Sequence, residues 1–371
     1  MDASTPTIWK DLEAAPSDPV FGLIHGFLAN ENPKKVLLGV GIYKGEDGKP
    51  FILETVKKAE RRLLDKQVDK EYAFPDGYPT FRQHAIELSW GADHPAVKEK
   101  RVASMQTVSG TGGLNLGFKL LKKFFPRSKA YVPNPTWSLH HNIIAATGHE
   151  LTYFRYYNAA TKGFDHAGML EDLKNMEDEQ ILLLQTSCHN PSGCDPTKDQ
   201  WKEILEVVKA KKHFCFFDSA YQGFGNDDYN EDTWSMRYFA ENYSRVMLTQ
   251  SFSKNFGLYG ERTGCLSMVC TDHEEQLKVQ TLLKDTCLPE YSNPPIHGAR
   301  IVEEILGDAT LKAEWHAEVI AMSHRLKDNR KQMVEKLKAL GSVHNWDHIV
   351  SQIGMFAYTG LTKEMTEELR D

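Results

Sequence analysis

The chain has 371 residues, of which 41% are hydrophobic and 26% charged, a composition that suits a globular enzyme with room for two domains. A formal charge of −7 and a pI near 6.1 leave no basic stripe, which argues against nucleic acid or an anionic membrane surface as the main partner and makes small molecules the default. No stretch approaches the ~20 apolar residues that cross a bilayer, the N-terminus lacks a cationic leader with an apolar core, and the cysteines at 188, 194, 215, 265, 270 and 287 form no CxxC pair. A reducing, cytoplasmic setting is therefore expected, and no metal site.

In chain order, an early apolar run at 36–41 precedes a long series in which a short apolar stretch, a polar or glycine-rich turn and a helical pattern recur. Strands are predicted at 102–108, 130–132, 181–186, 213–217, 245–249 and 265–270. Between them, Leu114, Phe118, Leu121 and Phe125 share one helical face, and Trp201, Leu205 and Val208 share another behind Asp195 as cap and Pro196 at the first turn. After Asn293-Pro294-Pro295 the pattern changes to long charged helices, clearest at 315–340, then to a strand-like run at 349–358 and a helix beginning at Thr362. The expected architecture is α/β: a large domain whose mostly parallel sheet is flanked by helices, plus a smaller α/β domain. The expected boundaries are an N-terminal arm at 1–17, the first part of the small domain at 18–48, the large domain at 49–312, and a linking helix with the second part of the small domain at 313–371.

In open α/β sheets ligands sit beyond the carboxyl ends of the strands, so the polar residues after each apolar run are the informative ones. Ser109-Gly110-Thr111-Gly112-Gly113 opens a helix and offers hydroxyls and helix N–H groups to a phosphate, although such turns also serve purely structural ends. It matches neither GxGxxG nor GxxxxGK[ST]. Asn190 follows the next informative strand and Asp218 the one after, where a lone aspartate would ordinarily cap a turn. The balance changes with Ser251-Phe252-Ser253-Lys254, because a lysine at a buried strand end costs desolvation unless it has a role. A Schiff-base lysine explains the set. Its amine must be neutral to act, a phosphate needs Ser109, Gly110, Thr111, Ser251, Ser253 and Arg262, a protonated pyridine nitrogen needs Asp218, and a phenolic oxygen needs donors such as Tyr221 and Asn190. Trp137 offers the ring an aromatic face.

These residues resemble the class I pyridoxal-phosphate-dependent aminotransferases, the aspartate aminotransferase subgroup in particular, along the whole chain. The diagnostic runs are SGTGGL at 109–114, NPTW at 134–137, HNPSGCDPT at 189–197, FFDSAYQGF at 216–224, QSFSKNFGLYGER at 250–262 and YSNPP at 291–295. The resemblance implies the fold-type I transferase architecture, pyridoxal 5'-phosphate as cofactor, and a homodimer with shared sites that moves an amino group between an amino acid, aspartate in the family, and a 2-oxo acid, 2-oxoglutarate. It makes Lys254 the cofactor-binding lysine and general base, Asp218 the partner of the ring nitrogen, and Tyr221 and Asn190 the contacts of the phenolic oxygen. Tyr72 would reach the phosphate of the neighbouring subunit. Trp137 would stack on the ring with His140 behind it near Asp218, and Gly41, Trp137 and Asn190 would meet the substrate.

Two departures accompany the resemblance. Leu288 stands where the family carries the arginine for the substrate's distal carboxylate, and the arginine for the α-carboxylate belongs to a C-terminal stretch of a few dozen residues that the family adds after 371, so the chain reads as C-terminally shortened. Alongside a dicarboxylate transaminase, the sequence therefore admits a transaminase of aromatic or neutral amino acids, a cofactor-binding homologue with an interaction role, and another reaction on the same cofactor.

Overall fold

The computed structural model describes residues 9–10, 12–14 and 19–369; of the expected N-terminal arm, residues 1–8, 11 and 15–17 lie outside the described residues. The chain divides into two compact units, Met1–Ile42 and Tyr43–Asp371. In the first, the helix Pro19–Ala29 is closed by Lys35, whose Nζ donates to the carbonyls of Phe27 at 2.7 Å and Asn30 at 2.6 Å. A cation thus serves carbonyls that a helix end cannot pair itself. The run at 36–41 forms no strand, and Val36 and Leu38 are exposed.

The described residues of the second unit form nine strands: β1 (Val102–Val108), β2 (Ala130–Asn134), β3 (Leu151–Arg155), β4 (Tyr157–Asn158), β5 (Gly163–Phe164), β6 (Ile181–Gln185), β7 (Phe214–Ser219), β8 (Val246–Ser251) and β9 (Thr263–Val269). Strands β4 and β5 pair only with each other, and the remaining seven form one sheet in the order β1-β9-β8-β7-β6-β2-β3. From β8 to β3 every pairing is parallel, while β9 runs antiparallel to both of its neighbours. Strands β6, β7 and β8 are buried along their whole length because helices cover both faces of the sheet. On one face Leu182, Leu184, Cys215, Phe217 and Leu248 pack with Trp201 and Leu205 of the helix Lys198–Lys211. On the other, Leu183, Phe216 and Met247 pack with Leu114, Phe118 and Leu121 of the helix Ser109–Phe124. That helix lies close enough for a Cβ on Gly113 to come within 2.1 Å of Thr249 Oγ1, and one on Gly117 within 2.4 Å of Phe216 Cζ. Only glycine permits this approach, which explains the glycines that follow the strand.

Several sequence expectations are corrected. The edge strand β3 and the β4–β5 hairpin were not foreseen. The helix Lys198–Lys211 is capped by Thr197, whose hydroxyl and the Gln200 side chain form a reciprocal capping box, and not by Asp195. The long helix Ala309–Ala339 starts ahead of Trp315 because Asp308 caps it, accepting from the N–H groups of Thr310 and Leu311. The run at 349–358 is no strand: the helix Asp347–Ser351 is followed by irregular chain. There Gly354, at φ +88°, is pressed so near the 188 turn that a Cβ would lie 2.5 Å from Cys188 Cβ. The Gln352 side chain takes both backbone groups of Tyr358 in place of a strand partner. No helix among the described residues is long and apolar enough to cross a membrane.

Candidate active site

Parallel pairing aligns the strand tips: Gln185 lies beside Asp218, and Asp218 beside Thr249. The residues that follow β6, β7 and β8 therefore emerge together. The antiparallel β9 adds what a parallel strand could not, since its first residues pair with the ends of β1 (Val108 with Thr263) and β8 (Ser251 with Gly264). This brings Arg262 against Ser109, whose N–H donates to the Arg262 carbonyl at 2.9 Å.

Asp218, buried at the end of β7, meets His140 Nε2 at 3.2 Å, and His140 Nδ1 meets Thr136 Oγ1 at 2.8 Å. Trp137 stands edge-on to His140, with ring centroids 5.3 Å apart. Asn190 Nδ2 donates to the Tyr221 hydroxyl at 3.1 Å, and Lys254 Nζ sits over the Tyr221 ring, 5.5 Å from its centroid. The Ser109 hydroxyl is 3.4 Å from those of both Ser251 and Ser253. Gly110 completes this corner: a Cβ there would lie 3.2 Å from Ser251 Cβ and 4.0 Å from Asp218 Oδ1. The segment bearing Lys254 is anchored from below, because Trp315 of the long helix stacks on Phe256 at 4.6 Å and donates from Nε1 to the Asn255 carbonyl at 2.8 Å.

Burial holds the Lys254 amine below its usual pKa range; Asp218 pulls it part of the way back, and Arg262 adds to the lowering. The neutral amine is the form that attacks a carbonyl, and burial favours that form. Burial also lowers the Arg262 guanidinium, whose one side-chain hydrogen bond among the described residues is to the Tyr259 carbonyl at 3.1 Å. Burial, reinforced by Asp218, pushes the Tyr221 hydroxyl well up, so it stays protonated and able to donate, while Asn190 opposes the rise. His189, next to Asn190, is driven to about 3 by burial and by His140, and its neutral ring stacks on Tyr156 at 3.9 Å.

Among the described residues neither Lys254 nor Arg262 forms a salt bridge. Nearby, the helix Ser109–Phe124 begins without a side-chain cap. One guanidinium, three hydroxyls and an uncapped helix N-terminus suit the phosphate of a phosphate-bearing aldehyde: the anion would be held at the serine corner, with the Lys254 amine left to bond the carbonyl.

The structure thus draws Ser109, Gly110, Trp137, His140, Asn190, Asp218, Tyr221, Ser251, Ser253, Lys254 and Arg262 into one cluster, with Thr111 on the same helical turn. Tyr72 and Leu288 stand at exposed positions, 81% and 50% accessible, and Gly41 belongs to the first unit. Two residues at this site were missed by sequence reasoning. Gln185 is a polar last residue of a buried strand, a signal that the strand-tip rule contains; Asp195 looks like a helix cap and gives no signal of its other partners.

A family model described as aminotransferase class I and II matches residues 33–371. The chain is 43% identical over 362 residues to the mitochondrial aspartate aminotransferase of Xenopus tropicalis, covering 97% of this chain and 85% of that protein. Among solved structures, the aromatic-amino-acid aminotransferase of Burkholderia pseudomallei covalently bound to pyridoxal phosphate superposes with a TM-score of 0.95 at 38% identity, covering 99% of this chain and 92% of that one. The aspartate aminotransferase from the cytoplasm of Saccharomyces cerevisiae gives 0.94 at 35% identity, covering 98% and 90%.

Proposed function

Because the chain belongs to the class I and II aminotransferases, we propose that it is a pyridoxal-phosphate-dependent transaminase that moves an amino group between an amino acid and a 2-oxo acid, with Lys254 as its central residue. The observation that carries this assignment is the Lys254 amine itself, depressed by burial at the tips of β6, β7 and β8 and forming no salt bridge among the described residues. Bound pyridoxal phosphate supplies an electron sink for the negative charge left when the substrate's Cα proton departs. Lys254 would hold the cofactor covalently, and its free amine would take and return that proton at Nζ. Ser109, Gly110, Thr111, Ser251, Ser253 and Arg262 hold the phosphate. Asp218, oriented by His140, keeps the ring nitrogen protonated. Tyr221 and Asn190 would donate toward the phenolic oxygen, Trp137 would supply an aromatic face, and Trp137 and Asn190 would meet the substrate.

Loading the purified protein with pyridoxal phosphate and adding single amino acids tests this. A transaminase loses its visible band and releases one equivalent of the matching 2-oxo acid. Cofactor uptake with no response to any amino acid would overturn the assignment and favour the interaction-partner reading.

The substrate side is tested at Leu288. An apolar, half-exposed side chain cannot bind a carboxylate, which favours aromatic or neutral amino acids over aspartate. Leu288→Arg should raise the aspartate-to-phenylalanine ratio of kcat/KM by about thirtyfold or more, the size of a restored charge pair; an unchanged ratio would refute this role. Exposed Tyr72 and its neighbour Phe74, 66% accessible, support a homodimer in which Tyr72 serves the partner's phosphate site. Sedimentation at micromolar concentration should give twice the chain mass. All six cysteines are free, which supports a reducing compartment; the cytoplasm is proposed, to be tested by cell fractionation.

A further inference from the structure

We propose that Gln185 is a positioning residue that fixes the direction in which Asn190 donates; this rests on the transaminase reading above. Asn190 lies in the turn between β6 and the helix Lys198–Lys211, a stretch with no regular backbone pairing of its own. Its N–H donates to Gln185 Oε1 at 2.8 Å, and its carbonyl accepts from Gln185 Nε2 at 3.2 Å. Among the described residues no other group bonds either atom. The glutamine amide, itself buried at the last position of β6, therefore serves Asn190 as a strand neighbour would, with one donor and one acceptor in a fixed plane.

The rest of the turn is held elsewhere. Asp195 accepts from the N–H groups of Cys188 at 2.6 Å and His189 at 2.9 Å, stabilising the left-handed Cys188 at φ +54°. Its grip ends one residue before Asn190. The peptide that carries the Asn190 N–H is also held through the His189 carbonyl, which accepts from the Gly193 N–H at 2.7 Å, and the tilt that remains at Asn190 is set by Gln185, which bonds both its N–H and its carbonyl. The consequence appears at Asn190 Nδ2, which donates to Tyr221 OH at 3.1 Å. A tilt of the Asn190 backbone moves this donor away from the Tyr221 hydroxyl and from the phenolic oxygen that the two residues serve. A hydrogen bond donated to an oxygen anion favours the deprotonated form, so a misplaced donor raises the pH at which the bound cofactor's visible absorbance changes.

The test measures that midpoint in pyridoxal-phosphate-loaded protein for wild type, Gln185→Met, Gln185→Glu and Asn190→Ala, and for each Gln185 variant combined with Asn190→Ala, with Tm alongside. Gln185→Met should raise the midpoint by about half a pH unit, a shift in the same direction as that of Asn190→Ala. In the Asn190→Ala background the same change should add little. Gln185→Glu keeps an acceptor for the Asn190 N–H and guards against poor folding of the methionine variant. Its added charge acts equally in both backgrounds, so the difference between them isolates the part that passes through Asn190. A lowered Tm with an unmoved midpoint, or an equal shift in both backgrounds, would overturn the proposal. Absence of a visible band in loaded wild type would instead overturn the transaminase reading on which it rests.

Discussion

The two walls of the candidate site are built in opposite ways. On the Asn190 side the groups that aim the site's donor are held by the chain itself: Gln185 holds Asn190, Asp195 holds the two preceding amides, and Asn190 bonds Tyr221. On the serine side the hydroxyls stand 3.4 Å apart, and the Arg262 side chain has a single carbonyl partner. The first wall is preorganised by its own hydrogen bonds, so its donors are already aimed when a ligand arrives. The second keeps cationic and hydroxyl capacity for an anion, and it bears the cost of a half-buried guanidinium without a carboxylate. Lys254 stands where the walls meet.

Substitutions can break this contrast, in order of expected effect. Lys254→Ala should lower kcat by at least about a thousandfold in amino-acid turnover assays, since no neighbour offers a second amine. Arg262→Ala should weaken pyridoxal-phosphate binding by about 2–5 kcal/mol in titrations of the apo protein. The same change should leave the apo Tm unchanged or slightly raised, because it removes an uncompensated cation; a large fall in apo Tm would show that the serine wall is as cross-linked as the other. On the Asn190 wall the prediction concerns pH. Burial raises the Asp195 carboxyl to about 6, above its ordinary 3.8, so the folded protein holds that proton more tightly than the unfolded chain. Stability of the wild type relative to Asp195→Asn should therefore fall as pH rises from about 4 to about 6 and level off above, by at most about 3 kcal/mol. Denaturant titrations across that range check the sign; a difference that grows with pH would contradict it.

Much of the site could be read from the sequence because its chemistry lies at strand tips, and the strand cores are continuous apolar runs. Strand β1 has the bounds that its residues suggest, and β6, β7 and β8 differ only at their ends. Strand β3 was hidden because Leu151, Thr152, Tyr153, Phe154 and Arg155 lie at an edge, where partial exposure mixes polar with apolar residues. Asp195 misled for a physical reason: aspartate before proline is a good helix start, but its carboxylate is captured by amides of its own turn, and Thr197 takes the cap. The run around Gly354 is apolar enough to read as a strand yet has no sheet to join, since its backbone is packed on Cys188 and Gly193. The place of Gln185 at a strand tip is legible in the sequence, but its bonds to the Asn190 backbone are not, because a side-chain amide that replaces a backbone partner leaves no periodic trace.

The central claim is that the depressed amine of Lys254 is the point at which this chain holds pyridoxal phosphate. Borohydride reduction of the loaded protein, followed by peptide mass spectrometry, tests it most directly. The reduced cofactor's mass is expected on Lys254; its appearance on another lysine, or on none, would refute the assignment.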